Sequence, residues 1–266
     1  MQLQSVDHWF LDLDGTVYLD EEPLPGALDL IRHFRENDIG YTFLTNNSSR
    51  SANQYAERLH KLGFPVDDGQ VYTSGEATAS YLAKAAPTAR IYVLGTPSLA
   101  AVLSAAGLEI VEDEPDLVVL GFDPALSYTR LAKACNFLMD PAVRFVATNP
   151  DANCPVRGGF LPDAGAVMAL IEVSCGRSPE LVVGKPNPNY ITEVAGLAGA
   201  PLQRSAMVGD RLETDVLMAK EVGIPGVLVL TGATKANDPR LAGDRETPVF
   251  GGVDGLLAHL QRAVSK

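Results

Sequence analysis

The feature of this sequence that most constrains its fold is an alternation between short apolar runs and longer stretches with helical apolar spacing. Short apolar runs bounded by turn residues are typical of strands that are buried on both faces. Because such strands alternate with helices along the chain, we predict βαβ units, a mainly parallel sheet and the α/β fold class. The candidate strands lie at residues 9–11, 41–44, 91–94, 117–120, 144–147, 181–183, 206–208 and 227–230, and the clearest candidate helices at residues 51–62, 98–106, 163–174 and 214–222.

The number of candidate strands predicts more than one sheet, since a typical sheet has about five or six strands. Turn residues cluster at residues 73–76 and 177–180, which are the expected joints between two units. We therefore predict that residues 1–75 and 179–266 form one domain, and that residues 76–178 are a second α/β domain inserted into it.

The charge of the chain limits its partners. It has 33 acidic and 21 basic side chains and a formal net charge of −12, so nucleic acids and anionic membrane surfaces are not expected partners. Three cysteines without a paired spacing argue against a disulfide framework. Residues 1–8 lack the segments of a secretory signal, and no apolar run approaches the ~18 residues of a membrane span. We expect a cytoplasmic protein.

Two aspartates follow the first candidate strand directly. Asp12 and Asp14 flank Leu13, and since side chains alternate across a strand, both carboxylates point to the same side. The carboxyl end of a strand in a parallel sheet faces the binding crevice. Two carboxylates there repel each other unless a cation or a proton intervenes. The alternative interpretation is a solvated Asp-Gly turn.

A second pair of aspartates follows another candidate strand. Gly209 and Asp210 come at the end of that strand, and Asp215 falls in the first turn of the next candidate helix, where the helix dipole favours a carboxylate. Simple helix capping would explain Asp215, but it explains Asp210 poorly. Asp12, Asp14 and Asp210 together would form an oxygen-rich site suited to Mg²⁺.

Polar residues of other kinds end two further candidate strands. Thr45, Asn46 and Asn47 supply hydroxyl and amide donors just before a candidate helix, which suits the binding of phosphate oxygens. Lys185, between glycine and proline, is placed to counter nearby carboxylates and an anionic ligand. Both have ordinary alternatives, because Asn and Thr are common in turns and caps and a loop lysine is usually solvated. A parallel sheet would bring all these strand ends to one edge.

Taken together, these groups resemble the four motifs of the haloacid dehalogenase-like (HAD) phosphohydrolases in order and in spacing. Residues 45–48, 148–151, 184–186 and 209–215 resemble signatures of one subfamily, the NagD-type sugar-phosphate, 4-nitrophenylphosphate and phosphoglycolate phosphatases. The resemblance implies a Rossmann-like core with a parallel sheet. It also implies an inserted α/β cap domain between the second and third motifs.

The resemblance further implies a Mg²⁺-dependent mechanism. Asp12 would be the nucleophile that forms an aspartyl-phosphate, and Asp14 would protonate the leaving oxygen and then activate water. Mg²⁺ would be held by Asp12, the backbone carbonyl of Asp14, and Asp210. Thr45, Asn46 and Asn47 would bind the phosphoryl oxygens. Lys185 would steady the nucleophile and the phosphate, and Asp215 would orient Lys185 or a metal-bound water.

The expected function is hydrolysis of a small phosphorylated metabolite, a phosphate monoester of the sugar phosphate, nucleoside monophosphate, phosphoglycolate or 4-nitrophenyl phosphate type. Asn149, Asp151 and residues 157–163 are candidates for contacting the leaving group, although charges such as those of Asp151 and Arg157 are more often ordinary loop charges. One alternative function is a phosphotransferase or phosphomutase that uses the same Asp12. Another is a non-catalytic phospho-aspartate receiver module, although such modules generally lack a carboxylate at the position of Asp14. A homodimer through the caps is a candidate assembly by resemblance alone.

Overall fold

The structure is a computed structural model that describes residues 3–264. The strands are β1 (His8–Leu11), β2 (Tyr18–Leu19), β3 (Glu22–Pro23), β4 (Gly40–Thr45), β5 (Val71–Thr73), β6 (Arg90–Leu94), β7 (Glu109–Ile110), β8 (Leu117–Leu120), β9 (Arg144–Ala147), β10 (Asn153–Val156), β11 (Gly159–Pro162), β12 (Leu181–Val182), β13 (Ser205–Gly209), β14 (Gly226–Val229) and β15 (Val249–Phe250). The helices are α1 (Ala27–Glu36), α2 (Ala52–Lys61), α3 (Ser74–Ala85), α4 (Pro97–Ala105), α5 (Tyr128–Leu138), α6 (Ala164–Cys175), α7 (Pro188–Ala198), α8 (Leu217–Glu221) and α9 (Val253–Val264), with a π-helical turn at Leu212–Val216.

The first sheet has six parallel strands in the order β15-β14-β13-β1-β4-β5. Helices cover both of its faces: Trp9 and Leu11 of β1 pack with α1, α2 and α9, and Phe10 packs with α7 and α8. Leu11 is in register with both Phe43 of β4 and Val208 of β13. These three strands therefore end at the same edge of the sheet.

The second sheet has five parallel strands in the order β12-β9-β8-β6-β7. Side chains alternate across β6, so that Ile91 and Val93 pack with α3 and α4, while Tyr92 and Leu94 pack with α5 and α6. The apolar cluster that contains Ile91 also contains Phe10 of the first sheet. The two sheets are thus joined by a continuous apolar core.

Two antiparallel hairpins meet across the cleft between the sheets. The β2–β3 hairpin follows the first strand of the chain, and the β10–β11 hairpin, which we call the cap hairpin, follows β9. At the turn of the cap hairpin, the backbone N–H of Arg157 donates to Asp20 at 2.8 Å, and its guanidinium contacts Glu22 at 2.5 Å. The cap hairpin therefore covers one side of the cleft.

The structure confirms the α/β class and a parallel core sheet with a second α/β unit, and every candidate strand coincides with a strand. Sequence reasoning missed the short strands β5, β7 and β15 and both hairpins, which carry too few apolar residues to form a recognisable run. None of the helices within residues 3–264 has the length and the apolar character that a membrane crossing requires.

One predicted strand belongs to the other sheet. Leu181 is in register with Val146 of β9. The pairing continues as Val183 donates to the carbonyl of Ala147, the last residue of β9, and Gly184 donates to that of Thr148. The prediction that Lys185 ends a strand of the same sheet as Asp12 was therefore wrong. A short apolar run has the same pattern whichever sheet it joins. The division into a domain of residues 1–75 and 179–266 and an inserted domain of residues 76–178 stays a proposal. In this division, β12 belongs to the first domain although it pairs with a strand of the second sheet.

Candidate active site

Asp12 lies at the carboxyl end of the central strand and is held there by the fold. Its backbone N–H donates to Val208 at 2.9 Å, which continues the ladder between β1 and β13. The hydroxyl of Thr16 donates to Oδ2 of Asp12 at 3.1 Å. The side chain is 10% exposed, so this carboxylate is fixed in a place that little water reaches.

Asp14 is half-buried, whereas Asp12 is buried, and the pKa of Asp14 is raised. The hydroxyl of Tyr18 donates to its Oδ2 at 3.4 Å. Burial raises the pKa of Asp14 to about 6, and the neighbouring Asp12 carboxylate adds to the increase. A carboxyl group with this pKa can both give and take a proton near neutral pH.

Lys185 connects the carboxylates of the cluster. Its Nζ donates to Oδ1 of Asp12 at 2.5 Å, to Oδ1 of Asp215 at 2.6 Å and to the carbonyl of Leu44 at 3.1 Å. Although burial opposes the charge, Asp12 and Asp215 raise the pKa of Lys185 above its ordinary value. Lys185 is therefore a charged ammonium 2% exposed to solvent.

Asn46 fixes the backbone of Lys185 from both sides. The N–H of Lys185 donates to Oδ1 of Asn46 at 2.7 Å, and Nδ2 of Asn46 donates to the carbonyl of Lys185 at 3.0 Å. Both ends of the amide are thus used inside the protein. These contacts suit Asn46 to positioning the lysine, and its binding of phosphate oxygens stays a prediction.

The loop after β13 places the second pair of aspartates. The backbone N–H of Arg211 donates to Oδ2 of Asp215 at 3.1 Å, and that of Ala233 donates to Oδ2 of Asp210. Gly209 is required at the end of β13, because a Cβ atom there would collide with the carboxylate of Asp215. The π-helical turn then carries Asp215 back over the strand end.

Three buried carboxylates converge at this point. One oxygen from each of Asp12, Asp210 and Asp215 lies within 4.8 Å of the others. Burial, with the charges of Asp12 and Asp215, raises the pKa of Asp210 well above its ordinary value. Burial also raises the pKa of Asp215 to about 7, although Lys185 opposes this.

This donor set fits a hard divalent cation. Lys185 supplies one positive charge against these carboxylates, and buried negative charge without compensation is costly. Oxygen ligands from a few carboxylates are the type that Mg²⁺ prefers. The sequence predicted Asp12, Asp14 and Asp210 as the metal site. The structure brings together the carboxylates of Asp12, Asp210 and Asp215, and the carboxylate of Asp14 is not part of that group.

Thr45 and Asn47 lie in the same cavity, at the end of β4. Thr45 is buried, and its hydroxyl accepts the backbone N–H of Asn47 at 3.0 Å. Oδ1 of Asn47 accepts the N–H and the hydroxyl of Ser49, so that Nδ2 is the group it can offer to a ligand. The predicted phosphate-binding segment thus faces the carboxylates from the neighbouring strand.

The second unit supplies the opposite side of the cavity, through Asp151, Asn153, Cys154, Pro155 and Asp163. Oδ1 of Asp151 is buried and has no hydrogen-bond partner within residues 3–264. Burial raises the pKa of Asp151, and burial followed by the charge of Asp151 raises the pKa of Asp163 to about 7. This side is therefore polar, with hydrogen-bonding capacity that the protein does not use.

The two predicted specificity residues differ in position. Asp151 lines the cavity. Asn149 is fully buried, accepts from Thr148 at 2.8 Å and donates to Asp163 at 3.1 Å. Its contacts suit it to orienting Asp163 and not to touching a substrate.

Sequence reasoning missed Arg211, Asn153 and Cys154 as cavity residues. Arg211 directly follows Asp210 in the motif that was singled out, so a signal for it was present. Its guanidinium is largely buried and donates to the carbonyl of Asn153 in the cap hairpin. Asn153 and Cys154 have no comparable signal, because only the docking of the hairpin brings them to the cavity.

Comparisons with known proteins show the family of this chain. The chain matches the haloacid dehalogenase-like hydrolase family over residues 9–109 and the HAD-hydrolase-like family over residues 182–256. Acid sugar phosphatase from Staphylococcus aureus is 34% identical over 255 residues, which is 96% of this chain and 98% of that protein.

Solved structures give the same result. The 4-nitrophenylphosphatase of Thermotoga maritima is similar with a TM-score of 0.89 and 44% identity, over 97% of this chain and 98% of that one. The glycerol phosphate phosphatase of Mycobacterium tuberculosis, in complex with magnesium, is similar with a TM-score of 0.82 and 35% identity, over 95% of this chain and 77% of that one.

The fold, the cluster of strand-end groups and these matches define a class, the phosphoric monoester hydrolases with an aspartate-rich site in a parallel α/β core. Within that class, the chain belongs to the haloacid dehalogenase-like family. In that family it is similar to the NagD-type phosphatases. The predicted family is confirmed.

Proposed function

We propose that this protein hydrolyses small phosphate monoesters through an aspartyl-phosphate on Asp12, with Mg²⁺ as its cofactor. The observation that carries the proposal is the ammonium of Lys185 between Asp12 and Asp215, beside the buried carboxylate of Asp210. This arrangement gives one fixed nucleophile within a set of metal-binding oxygens. The names of the relatives support the substrate class, since they act on sugar phosphates, 4-nitrophenyl phosphate and glycerol phosphate.

The first step transfers the phosphoryl group to the protein. An oxygen of Asp12 forms a bond to phosphorus while the bond from phosphorus to the alcohol oxygen breaks. Asp14 gives its proton to the departing alcohol oxygen. It can reach this oxygen because it lies two residues after Asp12, at the end of the same strand. Lys185 keeps Asp12 in place throughout, because its ammonium is anchored at the same time by Leu44 and Asp215.

The second step regenerates the carboxylate. Asp14, now ionised, takes a proton from a water molecule whose oxygen attacks phosphorus. The bond between Asp12 and phosphorus then breaks, and inorganic phosphate leaves. Thr45 and Asn47 are proposed to bind the phosphoryl oxygens in both steps. Asp151 is proposed to face the leaving group.

Mg²⁺, held by Asp12, Asp210 and the backbone carbonyl of Asp14, would supply positive charge toward the phosphate. Without such a charge, the converging carboxylates would repel a dianionic substrate. Asp215 is proposed to orient Lys185. A cytoplasmic location and a homodimer stay predictions.

The proposal is tested by phosphate release from 4-nitrophenyl phosphate with added Mg²⁺, with and without excess EDTA. We expect turnover that EDTA abolishes and that added Mg²⁺ restores. A folded protein with no release of phosphate from a panel of phosphate monoesters would refute the proposal. Transfer of the phosphoryl group to an added alcohol, with little free phosphate, would favour the phosphotransferase alternative.

A further inference from the structure

A second cavity of about 310 Å³ lies beside the catalytic one. The two cavities share Asn153, Pro155 and Arg211, so they meet at the base of the cap hairpin. The second cavity is otherwise bounded by the cap hairpin and by the loop after β14, which contains Gly232, Ala233 and Lys235. None of the residues found only in the second cavity takes part in the proposed chemistry.

The charge of this cavity is opposite to that of the chain. Arg211, Lys235 and Arg240 line it against a single carboxylate, that of Glu213. The cavity therefore has an excess of two positive charges in a protein whose formal net charge is −12. Concentrated positive charge in a concave site attracts anions.

The three cations differ in how far their charges are satisfied. Arg240 contacts Glu213 at 2.8 Å and Asp238 at 2.7 Å, and Arg211 approaches Glu213 at 3.8 Å. The ammonium of Lys235 donates to the carbonyl of Gly232, and within residues 3–264 it forms no ion pair with a carboxylate. Lys235 is therefore the cation most available to an incoming anion.

The opposite wall of the cavity is apolar. Leu19, Val156 and Phe160 line it, and Phe160 keeps 65% of its surface exposed. A ligand that fits both walls has a carbon body and an anionic end. By contrast, the part of the catalytic cavity formed by the second unit contains Asp151 and Asp163, which would repel an anion there.

We propose that this second cavity binds a distal anionic group on the leaving alcohol of the substrate. This assignment rests on the proposed phosphatase function. The preferred substrates are then phosphate monoesters with a second anion, a carboxylate or another phosphate. The reacting phosphate lies at Asp12, and the second anion passes Arg211 to meet Lys235. Leu19 and Phe160 contact the carbon chain between them.

The experiment compares substrates that differ only at the far end. One pair is 6-phosphogluconate and sorbitol 6-phosphate, which differ by a carboxylate. The other is fructose 1,6-bisphosphate and fructose 6-phosphate, which differ by a phosphate. We expect kcat/KM to be about tenfold higher for the member with two anionic groups in at least one pair, and Lys235→Gln to remove that preference by raising KM. If Lys235→Gln loses this preference in one pair alone, that pair identifies the recognised anion as carboxylate or phosphate.

Lys61→Gln, at an exposed position on α2, is the matched control and should keep the preference, and Lys235→Arg should restore most of it. The proposal is overturned if wild type prefers neither two-anion substrate, or if Lys235→Gln changes both members of each pair equally. Turnover of 4-nitrophenyl phosphate, which has no second anion, reports on the phosphatase function alone. Its absence would refute the proposed function itself, and this assignment with it.

Discussion

The two sides of the catalytic cavity are built differently. On the side of the first sheet, Lys185 contacts both Asp12 and Asp215, and backbone N–H groups hold Asp210 and Asp215. On the side of the second unit, Oδ1 of Asp151 is buried without a hydrogen-bond partner among the described residues. Groups proposed to do the chemistry are thus preorganised by the protein, whereas groups proposed to face the variable part of a substrate keep free hydrogen-bonding capacity.

The largest effect is expected for Asp12→Asn. The amide keeps the shape and the hydrogen bond from Thr16 but cannot attack phosphorus, so kcat should fall by about 10⁴-fold or more. Phosphate release in the presence of Mg²⁺ measures this. A variant that keeps even a tenth of the wild-type rate would show that the first-sheet side does not contain the nucleophile.

Lys185→Met should be the next most severe. Loss of the ammonium leaves Asp12 and Asp215 buried without their cation, so we expect kcat/KM to fall about 10³-fold and the free energy of unfolding to fall by about 3 kcal/mol. Urea unfolding with EDTA, and again with Mg²⁺, tests this together with turnover. The ion should restore part of the lost stability.

Lys84→Met is the control for that variant, because Lys84 is an exposed lysine paired with Glu193. Its stability and activity should match those of wild type. If Lys185→Met were as stable and active as this control, the claim that Lys185 preorganises the first-sheet side of the cavity would be wrong.

The side of the second unit should show a pH dependence of stability. The pKa of Asp163 is about 7 when folded, mainly because the carboxyl is buried, against an ordinary value of 3.8. Between these two pKa values, the folded chain holds a proton on Asp163 that the unfolded chain has lost. The folded state is therefore favoured at acid pH, and this advantage is lost as the pH rises through about 7. The side chain of Asp163→Asn stays neutral. The free energy of unfolding of this variant, relative to that of wild type, should therefore increase by up to about 3 kcal/mol from pH 4.5 to pH 8.

Urea unfolding of both proteins at the two pH values measures the difference, with EDTA present. Asp68→Asn, at an exposed position, should show no such gain. A gain that is the same at pH 4.5 and pH 8 would mean that burial does not raise the pKa of Asp163.

The smallest effect is expected for Asp151→Asn. Because Oδ1 of Asp151 has no hydrogen-bond partner in the part of the chain that the structure describes, this variant should keep the stability of wild type within about 1 kcal/mol. We expect KM for sugar phosphates to change by about three- to tenfold, with little change for 4-nitrophenyl phosphate, whose leaving group has no hydroxyl to recognise. Equal changes with both substrates would argue against a leaving-group role.

The sequence predicted the first-sheet side of the cavity better than the other. Asp12 and Asp210 end parallel strands in register, so their meeting follows from the α/β pattern alone. Lys185 reaches the same place for another reason, because Asn46 holds its backbone where the chain leaves the second sheet. Hydrophobic periodicity shows that a strand exists but not which sheet it joins.

The second side could not be predicted in the same way. Cys154 reaches the cavity only because the cap hairpin docks on the first unit, through Arg157 with Asp20 and through Arg211 with Asn153. These contacts join residues 137 and 58 positions apart in the chain. No local pattern encodes such pairs. The roles assigned to individual site residues remain predictions until variants are measured.

The central claim, that Asp12 becomes phosphorylated, is tested most directly in the Asp14→Asn variant. With Mg²⁺ and 4-nitrophenyl phosphate, whose leaving group needs little protonation, the first step should proceed while the second lacks its base. Acid quenching and peptide mass spectrometry should then find the phosphoryl group on Asp12, and none when Asp12 is also replaced by Asn. Release of phosphate without any phosphorylated Asp12 peptide, or label on another residue, would contradict the account.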